Sequence, residues 1–186
     1  YDNAEAFIRA RFLEKNQQPN RKIYVHTTCA VDTENTEVVW AAVRCQGAVW
    51  EGADTQIDTY FKVSNGRLKL RQGNIENCLI QYERQDQTGP KVSKYTLAHL
   101  PVVTTANVKE ALQKSLGILI VVDKVREIYY LDNIKIHLDV VRDFGTFVEI
   151  EARDEKEVIG KTKLEEQTNR LMLDFKIRTE DLISDS

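Results

Sequence analysis

The sequence predicts an α+β fold in which an antiparallel β-barrel with flanking helices follows a helix–strand–helix segment. Three observations lead to this fold class. Seven short stretches between residues 57 and 152 alternate apolar and polar side chains, as half-buried strands do. Turn-forming residues at 64–66 and 131–133 separate neighbouring stretches. Because so many strands are joined by short turns, a closed or strongly curved sheet is favoured.

The first segment of the chain contains the predicted helix, strand and helix. Apolar residues recur at helical spacing over residues 2–15, and residues 22–27 (KIYVHT) alternate as a strand does. Residues 32–35 (DTEN) supply N-cap candidates for a second helix over 36–43. Glycines follow shortly afterwards, so we expect one segment over 1–46 and a separate domain over 47–186.

The predicted domain contains the alternating stretches and two further helices. We expect helices over residues 107–116 and 162–176, the second of which carries leucines among charges. The predicted strands span residues 57–63, 66–71, 77–84, 92–97, 118–131, 134–140 and 146–152.

Composition narrows the functional classes. The chain has 186 residues, 42% of them hydrophobic, and a net charge of −3, which does not indicate a nucleic-acid binder. No apolar run approaches the roughly 18 residues that span a bilayer. Three cysteines without metal or disulfide spacing predict a reducing, cytoplasmic location. Residue 1 is Tyr, so we expect the chain to be a piece of something longer. The sequence does not indicate an oligomeric state.

Several strands have one apolar face and one ionic face. In residues 134–140, for example, isoleucines and a leucine alternate with Lys135, His137 and Asp139. Either the ionic face is solvated, which is the more common arrangement, or it lines the inside of a closed sheet. Enclosed cations would repel one another by about 4 kcal/mol per close pair and would need a counter-anion such as a polyphosphate. Interleaved carboxylates would then suit Mg²⁺ or Mn²⁺.

The ordered motifs resemble the CYTH family, which groups class IV adenylyl cyclases with thiamine triphosphatases and other triphosphate tunnel enzymes. The resemblance covers about residues 52–186. The segments that carry it are DTYF (58–61), NGRLKLR (65–71), LIQYERQDQTGPKVSKY (79–95), VVDKVREIYYLDNIKIHLDVV (121–141) and DFGTFVEIEA (143–152).

The resemblance implies a tunnel that binds a triphosphate-containing small molecule together with Mg²⁺ or Mn²⁺. The reaction would be cyclisation with loss of pyrophosphate, or hydrolysis of the terminal phosphoryl group. The implied catalytic residues, which contact the phosphates, are Lys69, Arg71, Lys124 and Arg126. The implied substrate-binding residues are Arg84, Lys91 and His137, and the implied metal ligands are Asp139, Glu149 and Glu151.

One family signature is absent from the sequence. The family begins with a strand that carries ExExK, and no such motif occurs upstream of Gln56. We therefore expect an incomplete tunnel with an unpaired edge. Two alternatives follow, namely a metal-dependent enzyme and a non-catalytic module that binds polyphosphates or nucleotides.

Residues 1–43 resemble the C-terminal region of a heterotrimeric G-protein α subunit. The resemblance rests on AEAFIRARFLEKN and KIYVHTTCAVDTENTEVVWAAV. It implies that Thr28, Cys29 and Ala30 form a loop that contacts a guanine base. The phosphate loop G-x-x-x-x-G-K-[ST] and the Asn-Lys-x-Asp motif do not occur in the sequence. A G-protein α fragment that acts in signalling is a further alternative function.

Overall fold

The computed structural model describes residues 22–31, 33–83, 91–154 and 158–183, in which eight strands form a closed antiparallel barrel. The order around the barrel is β1-β5-β4-β3-β2-β6-β7-β8, and every neighbouring pair is antiparallel. The strands are β1 (Lys22–Val31), β2 (Val49–Phe61), β3 (Arg67–Gln72), β4 (Asn77–Glu83), β5 (Lys91–His99), β6 (Ile118–Leu131), β7 (Ile134–Val141) and β8 (Gly145–Arg153).

Helices pack on the outside of this barrel. Within the described ranges they are α1 (Thr33–Cys45), α2 (Val102–Leu116), α3 (Lys161–Asp174) and a 3₁₀ turn at Thr179–Asp181. Helix α3 lies against β8 and β1, α1 lies against β8, and α2 lies against β2 and β3. None of these helices combines the length and the apolar character that a membrane crossing requires.

The main apolar core lies outside the barrel, between its β7–β8 wall and the helices α1 and α3. Alternate residues of β7 and β8 point outward into this core, and Ile136 and Ile150 are completely buried there. The helices contribute, among others, Val43, Leu164 and Leu171. Because helices cover most of the outward apolar side chains of β7 and β8, the ionic faces of these two strands are left to line the interior.

Strand β1 closes the barrel, which corrects the expectation of an incomplete tunnel with an unpaired edge. Residues 22–26 pair with β5, and residues 24–31 pair with β8. The strand predicted at 22–27 therefore occupies the gap that the absent ExExK strand was expected to leave. The division of the chain between residues 46 and 47 stays a prediction, and the helix predicted over 2–15 lies outside the described residues.

Two element boundaries differ from the sequence prediction. Strand β2 begins at Val49 instead of residue 57, with a register shift against β6 between Trp50 and Gly52. Gly52, one of the glycines from which we predicted a boundary between two segments, thus lies at an irregularity inside a long strand. Helix α2 begins at Val102 instead of residue 107, directly after Pro101, and the hydroxyl of Thr105 donates to the Pro101 carbonyl oxygen at 3.0 Å. The β-branched residues at 102–105 weaken the helical signal in the sequence.

Candidate functional site

Charged side chains on the inward face of the barrel surround a cavity of about 520 Å³. Strand alternation alone left a solvated face and an enclosed face as alternatives. The structure has the enclosed arrangement, because Arg71, Lys124, Arg126 and Asp139 are only 3–7% exposed. The ionisable side chains lining the cavity include Lys69, Arg71, Glu76, Lys124, Arg126, Lys135, His137, Asp139, Glu149, Glu151 and Arg153.

Asp58 of β2 binds the cations of β3. It stands directly opposite Arg71, which donates Nε to Oδ1 at 2.9 Å and Nη2 to Oδ2 at 2.8 Å. The Nζ of Lys69 donates to the same Oδ2 at 3.3 Å, and the Nζ of Lys124 lies 3.8 Å from it. Burial opposes ionisation of Asp58, yet Lys69 and Arg71 hold its pKa well below the ordinary value. The carboxylate is therefore a permanent anion among three cations.

Asp139 of β7 performs the same role for the cations of β6. It stands opposite Arg126, whose Nε and Nη2 donate to its two oxygens at 2.6 Å each. The Nζ of Lys124 donates to Asp139 Oδ2 at 3.1 Å, and Arg126 Nη2 also donates to Glu149 Oε2 at 3.0 Å. Burial opposes ionisation of Asp139, but Arg126 and Lys124 outweigh it and lower its pKa. The two aspartates are thus linked through Lys124.

Two of the tunnel lysines, Lys69 and Lys124, differ in how firmly they hold their protons. Burial, followed by repulsion from Arg126, lowers the pKa of Lys124 to about 8. Burial also disfavours the charge on Lys69, but Asp58 and Tyr60 outweigh it and raise the pKa of this lysine. Lys124 therefore holds its proton less firmly than Lys69 does.

His137 is a neutral imidazole inside the tunnel. Burial, together with Arg126 and Lys135, lowers its pKa to about 3. Its Nδ1 lies 2.9 Å from Glu149 Oε2, so in the neutral ring the proton belongs on Nδ1 and is donated to that carboxylate. In the described part of the chain no hydrogen-bond partner reaches the buried Nε2. This nitrogen can accept a hydrogen bond inside a cavity that otherwise offers many donors.

Glu76 extends the network from the loop between β3 and β4. Its Oε2 accepts hydrogen bonds from Arg71 Nη1 at 2.7 Å and from Gln56 Nε2 at 3.1 Å, and its Oε1 accepts from Lys135. Burial raises the pKa of Glu76, but Arg71 and Lys135 outweigh it and leave the pKa far below its ordinary value. The loop is fixed by Asp54, whose carboxylate accepts the backbone N–H groups of residues 75 and 76.

Most of the residues predicted for the site come together in this cavity. Its lining includes Lys69, Arg71, Lys124, Arg126, His137, Asp139, Glu149 and Glu151. Lys91 is 1% exposed and donates its Nζ to the carbonyl oxygen of Ile183 at 3.0 Å, while Arg84 lies outside the described residues. The catalytic, substrate-binding and metal-binding roles of these residues stay predictions.

Several charged residues that line the tunnel or bind its cations were not among the predicted site residues, and four of them take part in the network described above. Lys135 shares the ionic face of its strand with His137, and Arg153 continues the face of Glu151, so alternation could have identified both. Asp58 belongs to the DTYF motif (58–61) and lies on the inward face of β2 together with the alternate residues of that strand. Glu76 lies in a loop, where no periodicity indicates the direction of a side chain.

Comparison with known proteins assigns the family. Residues 47–179 match the family model of the CYTH domain, so the chain belongs to the CYTH family. It is similar to the PH1012 protein from Pyrococcus horikoshii, with a TM-score of 0.70, 18% identity, and coverage of 88% of this chain and 96% of that one. It is also similar to a candidate adenylate cyclase from Vibrio parahaemolyticus, with a TM-score of 0.63, 15% identity, and coverage of 89% and 95%. At these identities the likeness establishes the fold.

A second resemblance covers a short segment. Over 43 residues, or 23% of this chain, the sequence is 49% identical to the guanine nucleotide-binding protein G(o) subunit alpha of Caenorhabditis elegans. The match spans 12% of the length of that protein. Thr28, Cys29 and Ala30 lie within β1, where they pair with residues 149, 148 and 147 of β8. The predicted base-contacting loop is therefore wrong for this structure, because these residues form a strand.

The resemblance to the CYTH family implies a divalent metal, and the tunnel supplies carboxylates of the type that Mg²⁺ prefers. Among the described residues, however, no three His, Cys, Asp or Glu side chains are grouped as a cation site. The carboxylates are instead paired with cations, since Arg126 bridges Asp139 and Glu149 while Arg153 binds Glu151 at 3.1 Å. The carboxylate oxygens are donors of a type that suits a divalent ion, but such an ion would have to compete with these guanidinium groups.

Proposed function

We propose that this chain binds the triphosphate group of a small organic molecule in its tunnel and acts as a metal-dependent phosphoryl-transfer domain, either adenylyl cyclase-like or triphosphatase-like. The observation that supports this proposal best is the convergence of Lys69, Arg71, Lys124 and Arg126 in one enclosed cavity. Guanidinium and ammonium groups are the usual ligands of phosphate oxygens, and their attraction is stronger in an enclosed site than in water.

The same cations would favour phosphoryl chemistry. Charge develops on the phosphoryl oxygens during transfer, and donors fixed in advance stabilise it without reorganisation. Arg71 and Arg126 are fixed in this way, because each is held by an aspartate on a neighbouring strand. Asp139, Glu149 and Glu151 would hold Mg²⁺ or Mn²⁺, which would supply further neutralisation of the phosphate charge. His137 would accept a hydrogen bond from the ligand at Nε2.

Binding and turnover can be measured separately on the whole chain. Calorimetric titration with ATP and with inorganic triphosphate, with and without Mg²⁺, should show binding that Lys124→Met weakens at least about tenfold. The matched control is Lys114→Met, since the side chain of Lys114 is 74% exposed on α2 and Lys114 is not among the residues that line the cavity. Absence of binding by both ligands in every condition would contradict the proposal. Product analysis then distinguishes pyrophosphate release from phosphate release.

A second candidate is a module that binds polyphosphates without turnover. The sequence of β1 favours it, because the strand that pairs with β8 and closes the barrel does not carry the ExExK motif. Tight binding of ATP or triphosphate with no product, in the presence of Mg²⁺ or Mn²⁺, would support this candidate over the enzyme. We also propose a cytoplasmic location, which the cysteine usage supports.

A further inference from the structure

The tunnel is not ionic all round, because one part of its wall is formed by uncharged side chains of β4 and β5. These side chains are Ile80, Tyr82, Tyr95 and Leu97, all of which line the cavity. They form two cross-strand pairs, with Ile80 opposite Leu97 and Tyr82 opposite Tyr95. We refer to these four residues as the apolar wall.

The apolar wall begins directly beside the phosphate-binding cations. Lys69 of β3 stands opposite Ile80, so one row across three strands contains Lys69, Ile80 and Leu97. Neighbouring strands are about 4.8 Å apart, which places Leu97 roughly 10 Å from the backbone of Lys69. The Nζ of Lys69 also lies 5.8 Å from the centre of the Tyr82 ring. An organic group attached to a phosphate at Lys69 would therefore reach the wall.

From this arrangement we propose that the apolar wall is the subsite for the organic group of the ligand, and that the chain prefers organic triphosphates with a ring system over inorganic triphosphate. This inference rests on the proposed function and names the substrate class within it. A ligand made only of phosphate would satisfy the cations and leave the wall in contact with water. An attached aromatic or heterocyclic group would cover Ile80 and Leu97, and burial of apolar area favours binding.

Part of the apolar wall is left uncovered by other protein side chains. Leu97 is 37% exposed, although it points to the cavity side of its strand, and Ile80 and Tyr95 are half-buried. Tyr82, by contrast, is buried beside Lys69 and Arg67, and its ring centre lies 5.9 Å from the Arg67 guanidinium carbon. Ile80 and Leu97 are thus the two positions where substitution would change ligand contact with little change in packing.

The test compares ligands that differ only in the organic group. Calorimetric titrations of the whole chain would use ATP, thiamine triphosphate and inorganic triphosphate under one salt condition. We expect at least one organic triphosphate to bind more tightly than inorganic triphosphate. Leu97→Ser should lower the affinity for that ligand about five- to tenfold and change the affinity for inorganic triphosphate by less than about twofold. Thr96→Ala, on the opposite face of the same strand, should change neither affinity.

A second variant reverses the chemistry of the wall. Leu97→Arg should lower the affinity for the organic ligand, because it replaces an apolar contact with a cation. The affinity for inorganic triphosphate should stay unchanged or increase. The inference is overturned if inorganic triphosphate binds as tightly as both organic ligands, or if Leu97→Ser weakens all ligands equally. Those outcomes would leave the proposed function intact. If none of the three ligands binds, the proposed function fails as well.

Discussion

Arg126 and Asp139 face each other across β6 and β7 and share two hydrogen bonds of 2.6 Å inside the barrel. Both residues are at most 6% exposed. A pair enclosed in this way is costly to break, because removal of one partner leaves the other charge buried.

The first prediction concerns this pair. Asp139→Asn should lower the free energy of unfolding by about 3–5 kcal/mol, as measured by urea denaturation. The control is Asp123→Asn on the same strand as Arg126, because Asp123 pairs at 2.9 Å with the exposed Arg142. That surface pair should contribute no more than about 1 kcal/mol. Equal losses in the two variants would mean that the tunnel pair is not desolvated.

A second prediction concerns the core outside the barrel. Leu164 of α3 is 2% exposed and belongs to the apolar core outside the barrel, while Leu173 of the same helix is 77% exposed. Leu164→Ala should therefore cost about 2–5 kcal/mol of stability. Leu173→Ala should change stability by less than about 0.5 kcal/mol. Thermal or urea unfolding measures the stability of both variants. A large loss of stability for Leu173→Ala would mean that α3 packs against the barrel with its opposite face.

The third prediction concerns the closing strand. Val25 of β1 stands opposite Val92 of β5 and Ala152 of β8, so its backbone lies between two neighbours. Val25→Pro removes an N–H from this double ladder and should cost at least about 1–3 kcal/mol. Val25→Ile keeps the N–H and serves as the control. Hydrogen exchange should become faster in β5 and β8 for the proline variant only; unchanged exchange would show that β1 does not close the barrel.

Alternation along the strands predicted much of this fold because it is a local property. The pattern of residues 134–140 predicted both β7 and the shared direction of Lys135, His137 and Asp139. The resemblance of ordered motifs then supplied what alternation could not, namely that the ionic side faces inward. The same combination brought Lys124 and Arg126 to the site.

Pairing between distant strands was harder to predict. The expectation of an incomplete tunnel followed from an absent motif, whereas barrel closure depends on backbone hydrogen bonds, which β1 supplies with a different sequence. Glu76 was missed for a related reason. It reaches Arg71 and Lys135 from a loop held by Asp54, an arrangement set by tertiary contacts and not by spacing in the sequence.

The last prediction uses the pH dependence of stability at Glu76. Arg71 and Lys135 lower the pKa of this carboxylate in the folded state despite its burial, while in the unfolded chain the pKa is about 4.3. Below that pH the unfolded chain binds more protons than the folded one, so the stability that Glu76 contributes is present above about pH 4.3 and is lost as the pH falls.

Glu76→Gln has no carboxylate to protonate at this position. The variant should be less stable than the unchanged protein at pH 7, and the gap between them should narrow as the pH falls below about 4.3. Urea denaturation at pH 7, 5, 4 and 3.5 measures this difference in stability. The contributions of the other tunnel carboxylates to the pH dependence largely cancel in it. The control is Glu110→Gln, since Glu110 forms an exposed pair with Lys114 and should show almost no gap at any pH. A gap at Glu76 that stays constant with pH would mean that its charge does not stabilise the network, and that Arg71 and Lys135 depend on other anions.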